Sequence, residues 1–279
     1  MKFLPATYLL FLSIMLYADK PNIVWICVED ASPHISCYGE KAIQTPNIDK
    51  MASQGIRFEK AFVTAPVCSA SRSAMITGMF QTTSGFLHHR SQKFKGKAGG
   101  NEDYFESYKT PAGIKTLPQI FKEQGYYTSN AKKTDYNFES GDIYDSTKDW
   151  TGRKKGQPFF AQFQLKGGKD RKSDKGVDRT KMQLPAYYPD TEIMRDDWAH
   201  YLGSWLKVDE EVKNILGRLH NEGELENTYV FFWTDHGVSH IRGKQFLYDE
   251  GIQVPLIVRF PNKLKGNTVR KDMASHIDI

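Results

Sequence analysis

Cys68 sits in the stretch Ala65-Pro66-Val67-Cys68-Ser69-Ala70-Ser71-Arg72-Ser73-Ala74-Met75-Ile76-Thr77-Gly78. Small residues follow the cysteine and lead into an apolar, helix-compatible run, which puts the thiol at a helix N-terminus. Unpaired backbone N–H groups and the positive end of the helix dipole favour negative charge there. Arg72, one turn on, can offer a planar fork to an oxyanion on the same side. The chemistry this spacing points to is anion chemistry at Cys68. Taken alone, the five residues from Cys68 to Arg72 also accommodate an ordinary packed thiol.

Two further groups have the same character. Pro21-Asn22-Ile23-Val24-Trp25-Ile26-Cys27-Val28 is continuously apolar after its polar start and ends abruptly in Glu29-Asp30. Such a run reads as a strand buried on both faces of a largely parallel sheet, with its carboxylates where open α/β sheets place their ligands. An acidic loop start is the bland alternative. The run Thr228-Tyr229-Val230-Phe231-Phe232-Trp233-Thr234 repeats the pattern and ends in Asp235-His236-Gly237. Two such strand ends side by side are what a bound metal requires.

The elements that must position these groups are written in the intervening sequence. Residues 45–55 carry a Thr cap, a proline in the first turn and a terminal glycine, which predicts a short helix, and residues 56–64 then run as a strand into the cysteine. Residues 116–125 repeat the capped, proline-started, glycine-stopped helix, and a strand through Tyr126 and Tyr127 follows. Residues 157–165 alternate like a strand, and residues 198–219 place Leu202, Trp205, Val208, Val212, Ile215 and Leu219 at helical spacing, a long amphipathic helix covering the sheet. Residues 91–111 lack periodicity and read as a long irregular loop.

Length and composition set the frame. The 279 residues suffice for one large α/β core or two small domains, and a net charge of +5 fits acidic partners or merely a basic surface. Lys2, the apolar run from Phe3 to Tyr17 and Ala18 resemble a secretion signal over residues 1–18, too short for an ordinary membrane span. Export to the periplasm or the exterior is the expectation, with no stable membrane insertion after cleavage and no nucleic acid as partner; a retained N-terminal anchor is the alternative. Cys27, Cys37 and Cys68 are an odd set for an exported chain, and Cys27, inside a strand, reads as a packed thiol.

At Cys68-Ser69-Ala70-Ser71-Arg72 the chain resembles the type I sulfatases of the alkaline phosphatase superfamily, whose signature is Cys-x-Pro/Ala-x-Arg. The resemblance extends, in order, to Thr45-Pro46-Asn47-Ile48-Asp49, Lys133-Thr134-Asp135-Tyr136-Asn137, Asp235-His236 and Gly243-Lys244 through Val254-Pro255-Leu256-Ile257. It implies that Cys68 is oxidised by a maturing enzyme to formylglycine, whose hydrate attacks sulfur and, once the alcohol has left, expels sulfate as its other hydroxyl is deprotonated. It further implies Glu29, Asp30, Cys68, Asp235 and His236 as metal ligands. That mostly hard-oxygen shell suits Ca2+, with Mg2+ or Mn2+ left open by the nitrogen of His236. Arg72, Lys133 and Lys244 fall where the family balances oxyanion charge. His240, with a tunable pKa, is the expected general acid, and His88 and Lys166 are the expected substrate contacts.

Three departures stand out. Glu29 replaces the commoner Asp, Asp135 stands where the family usually has the histidine of Gly-Lys-x-His, and Lys166-Gly167-Gly168-Lys169 follows the strand after which a histidine is usual. The fold implied is an alkaline-phosphatase-like α/β architecture, a mixed, mainly parallel sheet flanked by helices, over residues 19–279. The family's smaller C-terminal domain is expected to be missing after Asp278-Ile279. The function implied is hydrolysis of a sulfate ester, or an N-sulfate, on a carbohydrate. A phosphodiesterase or phosphonate monoester hydrolase of the same superfamily and a non-catalytic glycan-binding protein are the rivals.

Overall fold

The structure is a computed structural model that describes residues 20–89, 109–261 and 266–279. The stretch read as a secretion signal and most of the irregular 91–111 segment lie outside the described residues. No helix among the described residues is long and apolar enough to cross a membrane.

Seven strands form one sheet: β1 (Asn22–Val28), β2 (Gly55–Phe62), β3 (Tyr127–Ala131), β4 (Phe159–Leu165), β5 (Thr228–Thr234), β6 (Gln253–Arg259) and β7 (Thr268–Ser275), in the spatial order β3-β4-β1-β5-β6-β2-β7. The helices are α1 (Pro46–Ser53), α2 (Cys68–Thr77), α3 (Gln81–Ser84), α4 (Leu117–Glu123), α5 (Glu192–Asn221) and α6 (Asp249–Ile252). β1 pairs in parallel with β4, Ile23 opposite Phe160, and with β5, Asn22 opposite Thr228. β6 alone among the described strands runs against the rest.

The unbroken apolar runs are explained by two cores, one on each face of the sheet. Val24, Ile26 and Val28 of β1 pack with α1 and α5, while Trp25 and Cys27 pack with Met75 and Ile76 of α2 on the other side. Strands covered on both faces need no polar alternation. α5 shows the amphipathic pattern expected of a helix lying on a sheet, with Trp198, Leu202, Trp205, Val208, Val212 and Leu219 buried. It starts at Glu192, ahead of its apolar spacing, because Thr191 caps a polar first turn by accepting from the N–H of Met194 at 3.3 Å. α4 begins in a capping box, the N–H of Thr116 donating to Gln119 Oε1 at 2.8 Å.

β4 corrects one expectation. Its alternation of Phe with Gln suggests a half-buried strand, yet Gln162 and Gln164 are buried, 1% and 3% exposed, and fully engaged in hydrogen bonds. The polar positions of this interior strand form a network inside the protein. β7 is an edge strand exposed at successive positions that include Arg270, Lys271 and Asp272, charges that discourage edge-to-edge pairing. Cys27, Cys37 and Cys68 are free thiols, and burial pushes that of Cys27 far up.

Parallel pairing gathers the C-terminal ends of β3, β4, β1 and β5 at one edge of the sheet, where the chain leaves toward the ligand side. The exits of β4 and β1 touch there: the N–H of Gly168 donates to Glu29 O at 2.9 Å, and a Cβ on Gly168 would fall 1.9 Å from Asp30 O. Gly168→Ala is therefore expected to lower stability by about 1–3 kcal/mol through a forced backbone shift. Gly217→Ala, at a half-buried position in the last turns of α5 where a Cβ meets nothing within 4 Å, is expected to raise it by up to about 1 kcal/mol. Urea unfolding midpoints of the two variants check both signs.

Candidate active site

Cys68 is the first residue of α2, preceded by extended Val67, and is buried. The strand ends around it supply the rest. Glu29 and Asp30 follow β1, Lys133 follows β3, Lys169 follows β4 after the tight turn Gly167–Lys169, and Asp235 and His236 follow β5. Lys244 arrives on the loop between β5 and α6, which is fastened to the cysteine turn where the N–H of Gln245 donates to Pro66 O at 2.8 Å. Asp30 has φ +52°, a left-handed turn that Asp tolerates better than most residues. Its N–H donates to Asp235 Oδ1 at 3.1 Å, which locks the two acidic strand ends together.

The innermost cluster is Asp30, Cys68, Asp235 and His236, whose ligand atoms all lie within 4.8 Å of one another. His236 Nε2 stands 3.1 Å from Cys68 Sγ, 3.3 Å from Asp30 Oδ1 and 3.5 Å from Asp235 Oδ1. Donors held 2.3–2.6 Å from one hard cation at right angles lie about 3.3–3.7 Å apart, so the four groups fit a divalent ion. Nδ1 of His236 donates to Gly237 O at 2.9 Å, which leaves Nε2 as the nitrogen turned toward the cluster. Glu29, expected as a ligand, lies beside this set: its Oε2 accepts from Lys133 Nζ at 2.8 Å and also from Lys169.

Beneath the cluster lies a buried polar layer. Arg72, 1% exposed, donates through Nε to Asp235 Oδ2 at 3.0 Å, places a terminal nitrogen 2.9 Å from the same oxygen, and donates through its other terminal nitrogen to Gln164 Oε1 at 2.5 Å. Gln164 in turn donates to Asn130 Oδ1 at 2.8 Å. Arg72, expected to face an incoming anion, is buried with Nε and one terminal nitrogen bonded to Asp235 and Gln164, and its other terminal nitrogen makes no hydrogen bond. Ser71 donates to the backbone oxygen of Asp235, and His276 donates to Ser71 O at 3.0 Å, tying the end of the described chain to α2.

The cations at the mouth are lysines. Lys244 Nζ lies 3.0 Å from Asp30 Oδ2 and 3.3 Å from Cys68 Sγ, and Lys169 Nζ lies 3.9 Å from the same sulfur. Burial alone would push the Cys68 thiol up, but the hydrogen bond from His236 and the charges of His236 and Lys133 outweigh it and hold the pKa below its usual value. Burial opposes charge on His236 too, yet Asp235, Cys68 and Asp30 raise its pKa. Asp235 is held far below the carboxylate range, against its burial, by His236 and Arg72. Lys169 and Lys244 keep their protons despite desolvation, the first through Glu29 and Asp30, the second through Asp30 and Cys68.

Two expected residues, Lys166 and His240, are placed elsewhere. Lys166 is exposed and lines a separate cavity with Lys132, Asp170 and Lys207, because the chain reverses through Gly167 and Gly168 and delivers Lys169 to the cysteine in its stead. His240 packs its ring against Tyr188, Trp198 and Tyr201, pairs with Asp197 and faces Arg171 at 3.1 Å, and its pKa is lowered by burial and by Arg171. His88 gives its carbonyl to the side chain of Asn137, and a ring nitrogen of its neighbour His89 lies close to Cys68 and Asp135. Lys169 and His89 were missed because one-residue choices inside irregular turns follow no periodicity.

The ion pair of Arg72 with Asp235 yields a direct expectation. Arg72→Met leaves a buried carboxylate without its cation and is expected to destabilise the protein by about 3–5 kcal/mol. Lys133→Met, at a group 20% exposed, is expected to cost less than about 1 kcal/mol of stability. Chemical denaturation of the two variants checks the contrast.

Comparison with known proteins places this geometry. A family model described as Sulfatase matches residues 21–141 and 129–279. An "Ulvan-active sulfatase" of Formosa agariphila is 28% identical over 308 residues, which cover 94% of this chain and 51% of that protein, so the chain spans about half the length of this relative. An "N-acetylglucosamine-6-O-sulfatase" of Bacteroides thetaiotaomicron is 22% identical over 404 residues, covering 100% of this chain and 72% of that one. Among solved structures, the phosphonate monoester hydrolase of Agrobacterium radiobacter matches with a TM-score of 0.70 at 15% identity, over 93% of this chain and 72% of that chain, a likeness of fold alone. The family match runs through every described strand from β1 to β7, and the chain therefore belongs to the sulfatase family, built on the alkaline-phosphatase-like α/β fold.

Proposed function

We propose that the chain hydrolyses a sulfate ester, or an N-sulfate, on a carbohydrate, with Cys68 converted by a maturing enzyme to formylglycine and a divalent cation held by Asp30, Asp235, His236 and the oxygen of the converted residue. The observation that carries this reading is the meeting at Cys68 of a hard-donor cluster and three ammonium groups at one sheet edge. Such an arrangement has no use for a neutral substrate. It is suited to a tetrahedral anion presented to an atom at the Cys68 position.

When formed and bound, the aldehyde hydrate supplies the oxygen nucleophile and the cation screens charge on it and on the sulfate; Ca2+ suits the carboxylate donors best. The chain's own residues do the rest. Lys244, touching both Asp30 and the Cys68 sulfur, is placed to hold a sulfate oxygen against the attacking atom. Lys169 and Lys133 cover the Glu29 side and offset the charge that develops on the leaving sulfate, a preorganised field of the kind that supplies much of an enzyme's rate enhancement. Arg72 and Asp30 hold Asp235 and so fix the cluster from below. The named activities of the two carbohydrate-directed relatives support a sulfated sugar as substrate, and an exported location suits such a substrate.

Three outcomes are expected. Intact-mass analysis of the Cys68 peptide from a maturase-competent host shows the aldehyde in place of the thiol, and Cys68→Ala abolishes turnover of an aryl sulfate; a Cys68→Ala chain with measurable turnover overturns the reading. Adding Ca2+ at a hundredfold excess over its Kd stabilises the chelator-treated protein by about 2.7 kcal/mol, read as a raised melting temperature. Aryl sulfate is cleaved faster than aryl phosphate or phosphonate, and the reverse order assigns the chain to the phosphoryl branch. An unmodified thiol together with retained glycan binding assigns it to binding without catalysis.

A further inference from the structure

A second cluster shares Cys68 with the first and adds two side chains that the first does not contain. Cys68 Sγ, a ring nitrogen of His89 and a carboxylate oxygen of Asp135 all lie within 4.8 Å of one another. A reacting atom, a nitrogen base and a carboxylate in mutual reach are the parts of a nucleophile, base and orienter set. The three come from separate places in the chain, and one segment binds them together. Within residues 133–137, Lys133 pairs with Asp135 at 3.0 Å, and the N–H of Asn137 donates to Ser73 Oγ on α2 at 2.7 Å. The side chain of Asn137 donates to the backbone oxygens of Phe86, at 3.1 Å, and His88. The residue before His89 is thereby pinned to the segment that carries Asp135, and that segment is pinned to the helix that carries Cys68.

Other nitrogen groups stand among the following partners. His236 is enclosed by Asp30, Asp235 and the sulfur, and His240 faces Arg171 and Asp197. Lys169 is bound to the carboxylate of Glu29, and Lys244 to that of Asp30 at 3.0 Å. We propose that His89 is the catalytic base that releases sulfate from the protein, and that Asp135 is its positioning residue. This rests on the sulfatase reading above. In the step assigned, His89 takes the proton of the hydroxyl that remains on the former Cys68 carbon. The O–H electron pair becomes the second bond of the aldehyde C=O. The bond from that carbon to the sulfate oxygen breaks, and its electron pair leaves with the sulfate dianion.

The experiment compares the full matured chain with its His89→Gln and Asp135→Asn variants on an aryl sulfate. His89→Gln is expected to lower kcat by roughly 10²- to 10⁴-fold, the span of a lost acid–base group, while still releasing a first equivalent of phenol. Intact mass is expected to show sulfate covalently retained on that variant and not on the wild type. Asp135→Asn is expected to accumulate the same sulfated protein with a smaller loss of kcat and a nearly unchanged KM, and it carries the test alone should His89→Gln fail to fold. Wild-type turnover in His89→Gln, or slow turnover with neither burst nor sulfated protein, overturns the assignment. A wild type with no aldehyde at Cys68 and no phenol release sinks the sulfatase reading itself, and is told apart by that.

Discussion

The contact between Arg72 and Asp235 joins the helix that begins at Cys68 to the strand end that carries Asp235 and His236, half of the innermost cluster. Both partners are out of water, and each buried ion costs several kcal/mol that only close, saturated hydrogen bonding offsets. Saturation is what fixes the geometry. The second arm of Arg72 needs Gln164 on β4, Gln164 needs Asn130 on β3, and the other oxygen of Asp235 takes the N–H of Asp30 after β1. A shift of any one of these elements breaks a bond in a medium where it cannot be replaced by water. One helix and four strands are thus held in mutual register by polar groups, between apolar cores that would tolerate some sliding.

Above this layer the electrostatic balance changes from buried pairs to half-exposed ones. Lys133, Lys169 and Lys244 each rest on a carboxylate that is more buried than they are, so the anions are anchored and the ammonium groups stand toward solvent. Long lysine stems suit that arrangement, since the charge can leave its carboxylate for an incoming oxyanion without the backbone moving. The fixed parts sit on strand ends and the adjustable parts on turns, which is how a rigid sheet can serve a ligand that arrives and leaves.

The fold was largely legible because its signals are local and strong. Continuous apolar runs ending in acids marked β1 and β5, and cap, proline and glycine marked α1 and α4. Which residue of a turn points at the cysteine was not legible. Lys166 and Lys169 are separated by a tight turn through Gly167 and Gly168, and His88 and His89 differ by one position in an irregular segment, so only the tertiary bracket through Asn137 selects the second. The buried glutamines of β4 misled for a related reason. A polar residue in a strand reads as solvent-facing unless its partner is known, and the partner, Arg72, lies 92 positions away from Gln164. β7 gave no signal because an edge strand with one exposed charged face has neither the apolar run nor the clean alternation.

The departures from the usual sulfatase pattern are connected in space. Glu at position 29 has one more methylene than Asp, about 1.5 Å of reach, and that reach places its carboxylate where both Lys133 and Lys169 close on it. With Glu29 so occupied, a lysine after β4 is accommodated where a histidine is usual, because its charge has a buried partner. Lys133, drawn to Glu29, also takes the carboxylate of Asp135, which replaces the other usual histidine, and Asp135 then stands beside His89. Each change makes the next one electrostatically acceptable. A Glu29→Asp substitution would leave two ammonium groups reaching for a carboxylate that no longer arrives, so Glu29, Lys133, Asp135 and Lys169 form one coupled electrostatic unit.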